Sequence, residues 1–462
     1  MKKTISHVFD ETIIRSYDIR GVYKKTLFLD DAKIIGNVFG LEMDEGSTVN
    51  VAYDGRKSSI DLKDNLIYGL LEAGINVNEI GLGPTPLLYF SCYELKADGG
   101  IMVTGSHNPK DHNGFKIVKN NSPFFGDDLK RIEKNARKFS INRVKGKIKK
   151  INISEDYIKR LFKGFKQKKK INIVWDAGNG AAGKIMKNIS SKILGKQEVL
   201  FDTIDGDFPN HHPDPSDPEN LNFCKKEILE KNLDVGFAFD GDGDRLGVVD
   251  DLGRIIPGDK ILLLLAQDLL KKKKPLIIGD VKCSQVFFDE IERLGGDVIM
   301  SKTGHSHVKN DMKKYKADLA GEMSGHIFFA FNYFGFDDAL YASIKFLEIL
   351  DNNDQKLSKI VDKIPKVFNT PEIRIDCSDE IKFDVINNVI KNLDRYKKKI
   401  VDIDGIRVSE NNGWWLLRAS NTQPALVVRC ESLSQKGLDF QKESIKKELL
   451  KTMPSLSSKI FS

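Results

Sequence analysis

The chain holds few cysteines, and none are placed to work together. Cys92, Cys224, Cys283, Cys377 and Cys430 are the only five in 462 residues, and no two form a C-x-x-C step. That argues against a disulfide framework and against a thiolate zinc site. Long hydrophobic runs are also lacking. The richest, "ILLLLA" at 261–266, falls far short of a membrane span. The opening "TISHVFDET" follows two lysines but contains no apolar segment of the secretory kind. The expectation is a protein of a reducing compartment, the cytoplasm, without a membrane partner. Aromatics are missing from the lysine clusters at 168–170 and 271–274, so these read as solvated surface and not as a nucleic-acid contact. What remains is an ordinary globular composition, 40% hydrophobic and 30% charged, in a chain longer than one core supports. A net charge of +7 suits an anionic small substrate.

Along the chain a threefold pattern emerges. Three apolar runs end in an aspartate at a turn: "VNVAYDGR" at Asp54, "INIVWDAGNG" at Asp176 and "PLIIGDVKCS" at Asp280. Each leads through a helical stretch to a second short apolar run ("NVNEIGLGPTP", "EVLFDTIDGDFP", "DVIMSKTGHSH"). A third run then ends in a polar, glycine-bearing loop ("GGIMVTGSHNP", "VGFAFDGDGDR", "ADLAGEMSGH"). The order predicts a strand, helix, strand, helix, strand unit used three times, with polar loops at the strands' carboxyl ends, where α/β sheets place ligands. From about Thr370 the texture becomes α+β. "TPEIRIDC" reads as a strand and "DEIKFDVINNVIKNL" as an amphipathic helix. "KIVDIDGIRVSE", "GWWLLRAS" and "PALVVRCE" read as three further strands before a lysine-rich helix near Gln435. The expected domains are 1–152, 153–253, 254–367 and 368–462, closely packed because no low-complexity linker separates them.

Four loops can carry chemistry. "DGDGDR" at 240–245 sets Asp240, Asp242 and Asp244 at alternate positions with glycines between them, so that their oxygens can converge on one hard cation. The EF-hand pattern fails, since positions six and twelve are Arg245 and Asp251 and a strand precedes the loop. Mg²⁺ fits better, keeping a ligand position for a phosphate oxygen. "TGSHNPKDHNGFK" at 104–116 holds Ser106 beside His107, with Lys116 further on. It is not the hydrolase G-x-S-x-G elbow. A phosphorylated Ser106 would set its oxygens on the cation, and His107 or Lys116 would move the proton of an attacking hydroxyl. "GEMSGH" presents Glu322, Ser324 and His326, a set suited to vicinal sugar hydroxyls. "RASNTQP" gathers Arg418, Ser420, Asn421 and Thr422, a set suited to clamping a phosphate that is bound but not transferred.

Together with "YDIRG" at 17–21, these motifs resemble, in order and over essentially the whole chain, the set of the α-D-phosphohexomutases. "DVKC", "KTGHS" and "FGFDDA" are similar to the bacterial bifunctional phosphomannomutase/phosphoglucomutase branch. The resemblance implies three related mixed α/β domains and a smaller α+β, TATA-binding-protein-like C-terminal domain around a central cleft. It implies reversible phosphate transfer between the 1 and 6 hydroxyls of hexose phosphates, with a hexose 1,6-bisphosphate as intermediate and activator. Ser106 would be the phosphoserine and, with Asp240, Asp242 and Asp244, would hold Mg²⁺. His107 and Lys116 would be the acid/base groups, with Arg20 and Arg245 stabilising the transferring phosphate. Tyr17, Lys282, Gly304, His305, Glu322, Ser324 and His326 would line the sugar site, and Arg418, Ser420, Asn421 and Thr422 would hold the distal phosphate. A phosphoglucosamine mutase, expected to carry glutamine in place of Met323, a catalytically silent sugar-phosphate-binding protein and a metal-dependent phosphatase are the competing readings. Monomer and dimer both stay open.

Overall fold

The computed structural model describes residues 4–393, 399–420, 424–457 and 460–461. Its first large sheet places Gly99–Val103 and Asn76–Leu82 on either side of Thr48–Tyr53, all parallel, with His112–Lys119 antiparallel to Gly99–Val103. The second places Val235–Phe239 and Gln197–Leu200 on either side of Ile173–Asp176, again parallel, with Leu246–Asp250 returning antiparallel. The third repeats this with Leu319–Gly321 and Asp297–Ser301 flanking Leu276–Asp280, and Ile327–Phe329 antiparallel. Among these four strands of each sheet the spatial order is second, first, third, fourth, and only the last pairing is antiparallel. The threefold repetition expected from the strand-end aspartates is therefore present as topology. In all three units the loop between the third and fourth strands is the polar one: 104–111, 240–245 and 322–326.

One buried cluster spans the three units, beside a separate core within the first. Phe90 and Tyr157 meet at 5.4 Å between ring centroids, and Phe237 of the second sheet meets Phe346 of the helix Ala339–Asp351 edge-on at 5.9 Å. Leu88, Trp175 and Leu263 belong to the same fully buried cluster. Burial on this scale, at roughly 25 cal/mol per Å² of apolar surface, dominates whatever the interdomain polar contacts add. It holds the three loop-bearing edges in fixed relation.

The last sheet is antiparallel throughout and has its own core, built on Ile375, Val389, Trp415 and Val428. "KIVDIDGIRVSE" is not one strand. It divides into Lys399–Val401 and Ile406–Glu410, paired antiparallel, because Gly405 takes a positive φ of 71° and turns the chain. The sheet joins the third unit through a small apolar contact of Val281, Trp414 and Leu416 and through two buried arginines. Arg407 donates to the carbonyls of Val281 and Cys283, each at 2.7 Å, and Arg429 donates to that of Lys282.

All five cysteines are free and buried. Among the described residues no helix is long and apolar enough to cross a membrane. The lysines at 271–274 pair with Asp268, Asp318 and Asp297, as a solvated, charge-balanced edge would.

Candidate active site

Ser106 lies at the tip of the first polar loop, only 2% exposed. Its Oγ is 3.1 Å from Asp240 Oδ2 and 3.2 Å from His107 Nδ1. Asp240 directs its other oxygen inward, accepting from the backbone N–H of Asp244 and Arg245 at 3.0 and 3.1 Å. That fold-back is what the glycines between the aspartates permit. Oxygens of Asp240, Asp242 and Asp244 lie within 4.8 Å of one another, all three side chains fully buried. Burial and the neighbouring carboxylates of Asp244 and Asp242 push Asp240 well above its ordinary range.

Lys116, from the fourth strand of the first unit, reaches across to this cluster. Its Nζ is 2.7 Å from Asp242 Oδ2 and 2.5 Å from Asp244 Oδ2. Burial opposes the ammonium, but Asp242 and Asp244 more than offset this and hold its pKa above the usual lysine range. Asp244 is held well below its own range despite burial, by Lys116 and then His326. Asp242 Oδ1 is buried without a hydrogen-bond partner among the described residues. An all-oxygen donor set with an orphaned buried carboxylate oxygen fits a hard divalent cation such as Mg²⁺.

His107 is the complementary case. Burial first, then the charges of Arg245 and Arg20, push its pKa well below the usual histidine range, so the ring beside the serine hydroxyl is neutral. Arg20 donates to Asn108 Oδ1 at 3.2 Å and pairs with Asp18 at 2.5 Å, and Arg245 Nε lies 4.0 Å from Asp240. The third loop joins directly to the second, with Leu246 N–H donating to the Gly325 carbonyl at 3.0 Å. His326 sits between Asp244 and Glu322, at 3.2 and 2.9 Å. Burial works against its charge, but Asp244 raises it to about 9. Ser324 Oγ is 3.0 Å from His326 Nδ1, and Glu322 accepts from the Gly304 N–H at 2.6 Å. Tyr17 packs edge-on against His305 at 5.6 Å.

The residues expected to hold a distal phosphate stand apart from this cluster. Arg418 Nε donates to Asp404 at 2.9 Å, and Lys282 pairs with Glu372 at 3.1 Å. The charge of Arg418 is nevertheless felt at Tyr17 and at Lys282, so the last domain lies within electrostatic reach of both. The Ser420 carbonyl accepts from Lys382 at 2.6 Å. Asn421 and Thr422 lie outside the described residues.

Several site residues escape the sequence reading. Thr85 donates to Asp242 Oδ2 at 2.5 Å, and Asp404 and Glu372 pair with the expected cations. Asp54 and Arg56 buttress the serine loop. "GPTP" and "YDGR" both stand at strand ends, which is the only local signal they carry.

Four family models match in succession. Phosphoglucomutase/phosphomannomutase alpha/beta/alpha domains I, II and III match residues 11–142, 155–253 and 257–368, and the C-terminal domain of the same description matches 372–448. The chain belongs to the phosphoglucomutase/phosphomannomutase family. Among its relatives is a phosphomannomutase/phosphoglucomutase of Pseudomonas putida, 41% identical over 459 residues and 99% of each chain. Another is a phosphoglucomutase of Neisseria gonorrhoeae, 40% identical over 440 residues, covering 92% of this chain and 94% of that one. A crystal structure of a phosphoglucomutase/phosphomannomutase family protein from Burkholderia thailandensis superposes with a TM-score of 0.90 at 37% identity, covering 97% of this chain and 99% of that one. The four-domain family architecture, three alpha/beta/alpha units and a C-terminal domain, is the one built here from the strands upward.

Proposed function

We propose that the protein moves phosphate reversibly between the 1 and 6 positions of a hexose, mannose or glucose, through a phosphoserine at Ser106 and a hexose 1,6-bisphosphate. The observation that carries this is the convergence on Ser106 Oγ of a carboxylate cluster at 3.1 Å and a neutral imidazole at 3.2 Å. In the transfer step the Ser106 Oγ–P bond breaks and a bond from phosphorus to the sugar oxygen forms. One proton passes, in sum, from the sugar hydroxyl to Ser106. His107, neutral beside Oγ, and Lys116, held as an ammonium, are the acid/base pair for that exchange. Asp240, Asp242 and Asp244, with Ser106, would hold Mg²⁺, whose chemistry when bound is to neutralise phosphate charge and polarise its oxygens.

Arg20 and Arg245 flank the transferring phosphate, while Arg418 and Ser420, with Asn421 and Thr422, bind the other one. Glu322, Ser324 and His326 read sugar hydroxyls. Tyr17, Lys282, Gly304 and His305 line the remainder. A cleft closed by three loops and the fourth domain keeps water from the phosphoserine. The four domains divide at 152, 253 and 367 in this reading. Buried free thiols suit a cytoplasmic setting.

The test is ³¹P NMR of the purified protein with Mg²⁺, a trace of glucose 1,6-bisphosphate, and mannose 1-phosphate or glucose 1-phosphate. Hexose 6-phosphate is expected without inorganic phosphate. Inorganic phosphate alone would replace the proposal with a phosphatase, and no change would replace it with a binding protein. Glucosamine 1-phosphate as the preferred substrate would point to the glucosamine branch.

A further inference from the structure

Ser106 has a left-handed backbone, φ +49°, a conformation that a non-glycine residue keeps only where its surroundings impose it. Both peptide groups at this residue lead to the same ion pair. The Ser106 N–H donates to Thr104 Oγ1 at 2.8 Å, and that hydroxyl donates to Asp54 Oδ2 at 2.8 Å. The Ser106 carbonyl accepts from Arg56 Nη2 at 2.7 Å. Arg56, its side chain wholly buried, spends all five guanidinium donors here. Besides Ser106 it reaches the carbonyls of Asn108 at 2.6 Å, Pro109 at 2.5 Å and His112 at 3.1 Å, and Asp54 at 3.2 Å. Asp54 in turn accepts from the backbone N–H of Arg56 and Gly105 and from Ser59 Oγ. Gly105 is glycine for this reason, since a Cβ there would lie 2.4 Å from Arg56 Nε.

The second domain closes over the back of Arg56. A Cβ on Gly206 would lie 2.5 Å from Arg56 Cα, and the Phe208 ring stands 5.1 Å from the guanidinium. Lys57 and Lys110, on either side, both pair with Asp207. The strand-end motif "YDGR" and the loop "DGDFP" are thereby two halves of one device.

We infer that Arg56, backed by Asp54 and covered by the 204–208 segment of the second domain, is a positioning residue that locks Ser106 in its left-handed conformation and aims Oγ at the acidic cluster. This rests on the reading of Ser106 as the phosphate carrier. Arg56 is shown touching the loop backbone and not the acidic cluster, so its loss acts on the chemical step and leaves sugar-phosphate binding alone. Lysine, with three donors, cannot span four carbonyls and Asp54.

The test compares the full-length protein with Arg56→Met and Arg56→Lys. Three readouts are needed: the rate of Ser106 phosphorylation by glucose 1,6-bisphosphate, followed by intact mass; kcat and KM for the hexose 1-phosphate; and thermal melting. Expected are folded variants, KM within about twofold of wild type, and kcat and phosphorylation rate lowered together by about a hundredfold in R56M, the scale of a roughly 1 Å misplacement. R56K should fall between R56M and wild type. A folded R56M or R56K with wild-type kcat overturns the inference. So does loss of folding in both, because the residue would then serve the fold and not the serine. If the wild-type protein itself takes up no phosphate on Ser106, it is the underlying reading that has failed.

Discussion

Replacing Lys116 with methionine keeps the volume of the side chain and removes an ammonium that touches two of the three clustered aspartates, at 2.7 and 2.5 Å. All of these groups are buried, so the cost is that of orphaning buried carboxylates, about 3–5 kcal/mol in the absence of a divalent cation. Protonation of Asp240, already favoured by burial and its neighbours, pulls the figure toward the lower end. The first three domains have a buried cluster in common and should melt together, and a unit of that size shifts by about 1.3 °C per kcal/mol. The expected loss in melting temperature with chelator is therefore about 4–6 °C. Mg²⁺ should then narrow the gap. At about a hundred times its dissociation constant a ligand adds about 2.7 kcal/mol, and in the variant no ammonium competes for the same oxygens, so saturation comes at lower Mg²⁺. Scanning calorimetry across a Mg²⁺ titration, with chelator as the zero point, measures both quantities. Coincident melting curves in chelator, or equal Mg²⁺ stabilisation of the two proteins, would refute the reading that the cation binds the same aspartate oxygens that Lys116 touches.

Ser106→Ala should leave folding intact, since the backbone bonds of residue 106 hold the loop and survive the loss of the Oγ contacts with Asp240 and His107. Turnover should fall to background, and intact mass should show no phosphate taken from glucose 1,6-bisphosphate. Arg418→Ala should raise KM by about ten- to a hundredfold, the worth of a charged hydrogen bond of 1.5–3 kcal/mol, with kcat within a few fold; steady-state kinetics on a hexose 1-phosphate decide it. Asp338 caps the helix Ala339–Asp351 through the Tyr341 N–H and accepts from Tyr157 and Tyr333. Burial still raises its pKa from 3.8 to about 6. A carboxyl raised in the folded state contributes stability that is full below the unfolded value and lost as pH rises through the folded one, here about 3 kcal/mol between roughly pH 4 and 6. Asp338→Asn should flatten that part of the stability profile, and urea melts at stepped pH would show an unchanged slope if this is wrong.

The three catalytic-looking loops were legible because each is punctuated twice, by a strand of buried type before it and by glycine within it. The split of "KIVDIDGIRVSE" was missed: "DG" marks it, but alternating apolar residues on both sides mask the turn. Arg56 was not legible. Its partners are carbonyls fifty and more positions away, which have no residue signature, and only Asp-Gly-Arg at a strand end stands for it. Thr85 is a similar case, a single hydroxyl that gains meaning from a cluster in another domain, and Asp404 gains its meaning from Arg418 on a neighbouring strand's end. Nor does composition reveal the pairing of Leu246 with Gly325, the contact that brings the loops 322–326 and 240–245 side by side.

The equivalence of the three polar loops has a historical consequence. If one ancestral unit was copied twice and the copies packed with the same edge inward, the corner between the third and fourth strands already met its counterparts before any of them had a specialised task. Nucleophile, cation and sugar recognition could then be taken up one corner at a time, each by changes within a handful of residues, with no rearrangement of the scaffold. Lys116, on the fourth strand of the first unit and reaching into the loop of the second, breaks the equivalence of the corners.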